Sequence, residues 1–331
     1  MTGTLLVTSI VRGAQLDEPS GLLFTVDLDQ ERVTGRCAMP DPPMREHDAN
    51  PRGGMRGAKG LVVVGDRIFI ANHGSIHEFD RSWRLQAVLS DPGCAGIHDI
   101  CHQDDLLWVT SASNDRLFAF GLDGHTERTI DCRPNALSVE DRTRPPDDLD
   151  YRDPRTHDPT AHDQTHLNSV AFLPDGAMLV SLGRLKESQA GLTRSAVMRI
   201  NSDGDQSFPM TITGTDHPSH SLCVLDGDHV AYLDTNAGDL LQFHASGSDR
   251  CSRIHVADEF LRGMVRLSAE QVVVGAGASL SVIDLPSGDV RKCVTLCDDP
   301  RVSVYAIVTL PEGTAHLPDT LASTTIPRRR L

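Results

Sequence analysis

A unit of about 40 residues that recurs along the chain, built of several short strands, restricts the possible folds more than any other feature. Each copy has an apolar strand, a polar turn, a second apolar strand, a Gly/Asn/Asp turn and a third strand ending in a hydrophobic-Asp step. Gly60 to Ala71 followed by Ser75 to Asp80 is one copy, and Asp99 to Thr110 followed by Arg116 to Phe120 is the next. The pattern returns from Ser169 to Val180 around Pro174-Asp175-Gly176, and from Ser221 to Leu233 around Asp226-Gly227-Asp228. A further copy runs from Gly263 to Val274 and on through Ser279 to Leu285. Val304 to Leu310 matches only the first strand of the unit; the remainder lies at the other end, in Leu5 to Ile10, Gly21 to Leu28 and Arg32 to Cys37. β-Branched and aromatic runs separated by turn residues favour strands throughout. The predicted fold is therefore all-β, a six-bladed β-propeller closed by the C-terminal strand as the innermost strand of blade 1. Such closure removes the exposed edges of an open array.

On this reading residues 1–331 form one domain, with blade 1 drawn from 1–37 plus 302–312 and a tail at 313–331. Two segments break the repeat, Ala38 to Gly57 and Arg133 to Gln164, both rich in proline and charge. Long irregular segments inside compact domains are usually functional or disordered, so 133–164 is a candidate lid.

The formal net charge of −15 speaks against a nucleic-acid partner, whose phosphates would need a basic face. Arg328, Arg329 and Arg330 make the one basic run, and it reads as a solvated, frayed terminus. No apolar stretch of about 18 residues is present to cross a membrane. The first residues read as a strand and not a signal peptide, which leads us to expect a cytoplasmic protein. Eight cysteines without a Cys-x-x-Cys pair suggest small buried hydrophobes, not a disulfide framework or a structural zinc knot.

Aligning the copies by their first strands brings out one position per blade near the central axis: Lys59, His98, Asn168, His220, Arg262 and Tyr305. All six are polar or hydrogen-bonding, whereas a purely structural ring would favour small or apolar side chains, because burying unpaired polar groups is costly. His166 stands two residues before Asn168 and would point to the same side of an extended strand. His98, His166 and His220 could form an open three-His set for a divalent metal ion, zinc first, with Asp99 as an orienting or proton-carrying neighbour. With 15 histidines in the chain, a metal-free polar funnel and chance placement remain alternatives. Lys59 and Arg262 suggest an anionic group on the substrate, or else partners for channel carboxylates. Asn168 would add a substrate contact, and Tyr305 either gives a proton or caps the axis. No Gly-x-Ser-x-Gly elbow, Walker-type loop or dinucleotide fingerprint is present.

With Ile97-His98-Asp99, His166-Leu167-Asn168, His220-Ser221 and Arg262-Gly263 in order, the chain resembles an uncharacterised family of bacterial six-bladed propeller proteins. The likeness spans roughly Gly57 to Leu310. A proline commonly precedes the His-Ser pair in that family, where this chain has Ser219 after Pro218. His220-Ser221-Leu222 is also similar to a tripeptide of the peptide-amidating lyase, a propeller that draws metal-binding histidines from successive blades. The resemblance implies the fold, and it favours a metal-dependent lyase or hydrolase acting on a small polar, anionic substrate. In that enzyme Asp99, Tyr305 and Arg262 would be catalytic, and Lys59, Asn168 and Arg262 would bind substrate. The competing expectation is a non-catalytic ligand- or protein-binding propeller.

Overall fold

The computed structural model describes residues 3–48, 50, 53–135, 144–158, 161–186, 193–213, 218–247 and 251–321. Its strands form six antiparallel, four-stranded sheets. Blade 1 contains β1 (Thr4–Val11), β2 (Gly21–Asp27) and β3 (Arg32–Ala38). Blade 2 is β4 (Leu61–Val64), β5 (Arg67–Ala71), β6 (Ile76–Asp80) and β7 (Leu85–Leu89). Blade 3 is β8 (Ile97–Gln103), β9 (Leu106–Ser111), β10 (Arg116–Gly121) and β11 (Thr126–Asp131). Blade 4 is β12 (Leu167–Phe172), β13 (Met178–Lys186), β14 (Thr193–Ile200) and β15 (Gln206–Thr213). Blade 5 is β16 (His220–Asp226), β17 (His229–Asp234), β18 (Asp239–His244) and β19 (Ser252–His255). Blade 6 is β20 (Leu261–Arg266), β21 (Gln271–Ala276), β22 (Ser279–Asp284) and β23 (Val290–Thr295). β24 (Val302–Thr309) pairs with β1 and completes blade 1 from the inside, as the sequence predicts.

The core is divided among the blade interfaces. Six buried apolar clusters each join neighbouring sheets, such as Phe69, Ile97 and Phe118 between blades 2 and 3. Another joins Leu5, Phe24, Val273 and Val304 between blades 6 and 1. The middle strands of the blades, such as β9, β10, β17 and β18, bury both faces and so lack a polar side. Outside blade 1, whose outer strand β3 the sequence predicts at Arg32 to Cys37, the fourth strands were not legible as repeats because they lie on the outside: β11, Thr-Glu-Arg-Thr-Ile-Asp, exposes nearly all of its side chains.

Over its described part the tail packs onto the ring. Leu317 and Leu321 are buried against blades 1 and 2, and Trp83 Nε1 donates to Ala315 O at 2.9 Å. Arg328 to Arg330 lie outside the described residues. All eight cysteines are free; Cys37, Cys94 and Cys132 are buried as expected, but Cys251 and Cys293 are exposed. No helix among the described residues is long and apolar enough to cross a membrane.

The inner strands are bulged where they pass the axis. Relative to its neighbour, each carries one extra residue at His98–Asp99, Asn168, Ser221, Arg262–Gly263 and Tyr305. In blade 2 the Lys59 amide and the Gly60 carbonyl both bond Ala71, which has the same effect. A bulge re-aims a side chain without breaking the ladder, and here it turns one residue per blade toward the hub. Next to the bulges, side chains stitch blade to blade: Gly263 N–H donates to Ser221 Oγ (2.9 Å), Ser221 N–H to Ser169 Oγ (3.0 Å) and Val170 N–H to Asp99 Oδ2 (3.2 Å).

Candidate functional site

The six inner strands enclose a cavity of about 370 Å³ on the axis, within the range that small-molecule sites occupy. His98, Asn168, His220, Arg262 and Tyr305 all line it, the first four at the start of their strands and Tyr305 at the bulge of β24. From this end the strands become more exposed along their length, as in β20 (buried at Leu261, exposed at Arg266) and β16. The cavity is therefore a funnel with a polar, buried floor.

Arg262 is the centre of that floor. Its guanidinium lies 3.3 Å from the centroid of the Tyr305 ring, and its Nη2 donates to His98 Nδ1 at 2.8 Å. A guanidinium has no acceptor, so Nδ1 of His98 accepts and the ring proton sits on Nε2. Burial first, then the Arg262 charge and the neighbouring His166, Lys59 and His220, push His98 well below the ordinary histidine range. It is neutral at pH 7 and presents an N–H. Burial lowers Arg262 to about 10, which leaves it charged at neutral pH. Burial also raises the Tyr305 phenol to about 12 against the pull of Arg262, so it keeps its proton.

His220 is stacked parallel to His98, with centroids 6.4 Å apart, and its Nδ1 lies 2.9 Å from Thr235 Oγ1. Asn168 Nδ2 donates to Ser219 O at 2.9 Å. Its Oδ1 and the Tyr305 hydroxyl are buried without a hydrogen-bond partner among the described residues. Such orphans call for a ligand or a water.

Lys59 and His166 are near the floor but are not part of the cavity wall. His166 does not reach the axis by strand alternation: it has φ 53° in the turn before β12, and its ring meets His98 edge-on at 4.8 Å. Asp163 Oδ2 stands 2.7 Å from its Nδ1. Lys59 is buried, and burial together with Arg56 and Arg262 holds it well below the usual lysine range, with Asp48 opposing. Arg12 and Arg56 add to the positive field around Arg262, and Arg12 lies over the Phe260 ring at 4.5 Å. Neither Lys59 nor Arg262 forms an ion pair with a carboxylate among the described residues. Asp99 is committed to the stitching, taking Ile100 N–H at 3.0 Å on its other oxygen. Sequence reasoning missed Asp163, Thr235, Arg12 and Arg56, none of which occupies a repeated position.

The two insertions meet beside the Lys59 side of the floor. Arg155 Nη1 lies 3.3 Å from His47 Nε2, and a cavity of about 260 Å³ between them is walled by Met44, Met55, His73 and Asp150. Residues 136–143 and 159–160 of the expected lid lie outside the described residues.

A shared metal does not fit this arrangement. Among the described residues no group of three His, Cys, Asp or Glu side chains is placed to hold an ion. Of the expected set His98, His166 and His220, His98 carries its ring hydrogen on Nε2, because Arg262 donates to its other nitrogen.

Fold and site together define a six-bladed β-propeller with a cationic, hydrogen-bonding floor in its axial funnel. No known family profile matches the chain, nor does any curated protein. Among solved structures it is similar to one in a nidogen/laminin complex, with TM-score 0.60 and 10% identity over 92% of this chain and 97% of that one. It is similar also to a protein of unknown function from Bacteroides caccae, with TM-score 0.59 and 12% identity over 93% and 98%. A catalytically inactive histidine-to-alanine variant of virginiamycin B lyase from Staphylococcus aureus, with quinupristin, aligns at TM-score 0.51 and 12% identity over 76% and 73%. At such identities the likeness is one of fold.

Proposed function

We propose that the funnel binds a small anionic substrate against Arg262 and carries out lyase-type proton transfer on it. The observation that carries this reading is the pair of buried basic side chains, Lys59 and Arg262, which form no direct ion pair among the described residues of a chain with net charge −15, Asp48 and Asp99 acting on them only from beyond contact. Leaving a buried charge uncompensated is expensive, and an anionic ligand supplies the missing partner.

In this reading the N–H groups of Arg262 not engaged with His98 take the anionic group, and the unpartnered Tyr305 hydroxyl donates to the same group or to the leaving atom. His220 receives a proton from carbon, and Tyr305 or the Nε2–H of His98 returns one. Lys59 lies behind Arg262; binding of an anion favours its charged form, so affinity rises as pH falls. Asp99 holds blade 3 to blade 4 and acts by positioning His98. The virginiamycin B lyase, inactive once a histidine is replaced, offers a precedent for lyase chemistry on this architecture.

Thermal unfolding with acetate, succinate or phosphate tests the reading. At about 100 times the dissociation constant a bound anion adds roughly 2.7 kcal/mol, a rise of several degrees in Tm. The rise is expected in the native protein and is lost in Arg262→Met and diminished in Lys59→Met. If no anion moves Tm, or if Arg262→Met keeps the full shift, the reading falls. A divalent ion would require Arg262 to leave His98; elemental analysis is expected to find no stoichiometric metal, and one equivalent of zinc would put a metal-centred lyase or hydrolase in its place. An anion that binds but is never transformed leaves a non-catalytic binding module.

A further inference from the structure

We infer that Thr235, the first residue after β17, is a positioning residue that fixes which nitrogen of His220 carries the proton. The inference rests on the proposed role of His220 as the group that accepts a proton.

The Thr235 side chain is buried, as is His220. Its Oγ1 lies 3.0 Å from Leu261 O and 2.9 Å from His220 Nδ1. A carbonyl oxygen only accepts, and a hydroxyl has a single hydrogen, so that hydrogen is directed to Leu261 O. Toward His220 the threonine oxygen then has only lone pairs to offer. Nδ1 must therefore bear the ring hydrogen, which leaves the lone pair on Nε2. The result is the reverse of His98, whose Nδ1 accepts from Arg262 and whose Nε2 carries the hydrogen.

The two parallel rings that line the cavity thus carry opposite tautomers, one with an acceptor and the other with a donor at Nε2. A lyase needs this division, one group taking a proton as another supplies one. The device spans three strands: His220 opens β16, Thr235 follows β17 and Leu261 opens β20 of the next blade. Thr235 does not itself line the cavity, so it acts through His220, which does.

Nitrogen-15 NMR of the histidine rings in the free protein reads the tautomer with no substrate present, His220→Gln serving to assign the signals. In the native protein His220 is expected in the Nδ1–H form at pH 7.5 and His98 in the Nε2–H form. Thr235→Val, which keeps the side-chain shape, loses the Nδ1–H form of His220 and leaves His98 unchanged; Thr235→Ser keeps both. An Nε2–H His220 in the native protein, or a Thr235→Val variant with the native pattern, overturns the inference. Unchanged His98 signals in that variant show that its fold is intact. Failure of the anion-binding test would not move these signals, so the two readings fall separately.

Discussion

Asp99 is a carboxylate kept inside the disc to join two blades, and its titration carries a cost. Burial raises it to about 6, opposed by the amides of Val170 and Ile100, whereas an unfolded chain returns it to about 3.9. The folded state therefore holds this proton more tightly. The contribution to stability is fully present below about pH 4 and is lost as pH rises through 6. Asp99→Asn has no such titration. Urea unfolding of the two proteins should show the native form gaining on the variant by on the order of 2–3 kcal/mol between pH 8 and pH 4; a gap that does not change with pH would show that Asp99 is solvated. Chain position marked Asp99 as a neighbour of His98 but gave no sign that its oxygens serve the amide of blade 4. Thr235 and Asp163 were hidden for the same reason, since their partners are set by contacts between turns and not by periodicity.

Among the elements, the bulged inner strands decide what reaches the hub. The repeat made Lys59, His98, Asn168, His220, Arg262 and Tyr305 legible as equivalent, because a bulge at the same place in each blade preserves the spacing of the motif. It did not reveal the bulges, which are backbone events. His166 was assigned to the right neighbourhood by the wrong geometry, a left-handed turn standing in for strand alternation. β21 shows how tightly the bulge is supported. A Cβ on Gly275 would lie 2.3 Å from both Arg262 O and Val304 Cγ1. Gly275→Ala must push β20 or β24 aside, so we expect a loss of about 2 kcal/mol or more by denaturant unfolding, together with weakened anion binding as Arg262 shifts. A variant of native stability would mean that the two strands part without cost.

At the scale of the whole molecule, the six interfaces carry the core and the ring must close for all of them to exist. β24 contributes Val302, Val304 and Ile307 to the cluster between blades 6 and 1, and it covers the inner edge of β1. Ending the chain at Leu296 exposes that edge and strips both interfaces of blade 1, since Leu310, Leu317 and Leu321 leave the cluster shared with blade 2. Size-exclusion chromatography is expected to show aggregates in place of a single species, because an uncovered apolar edge recruits other chains; a monodisperse monomer would mean that four intact interfaces suffice. The fourth strands and the packed tail add mass without altering this topology. The polar outer surfaces of the fourth strands are also why the repeat was read from three strands in the blades after the first.

The placement of β24 has a consequence for how the protein is made. A ribosome that has released everything up to Cys297 has delivered five whole sheets and three-quarters of the first, but Tyr305 and the partner surface for the Arg262 guanidinium are still inside the exit tunnel. Nascent chains therefore lack a complete floor until the last strand slides into place beside Arg262.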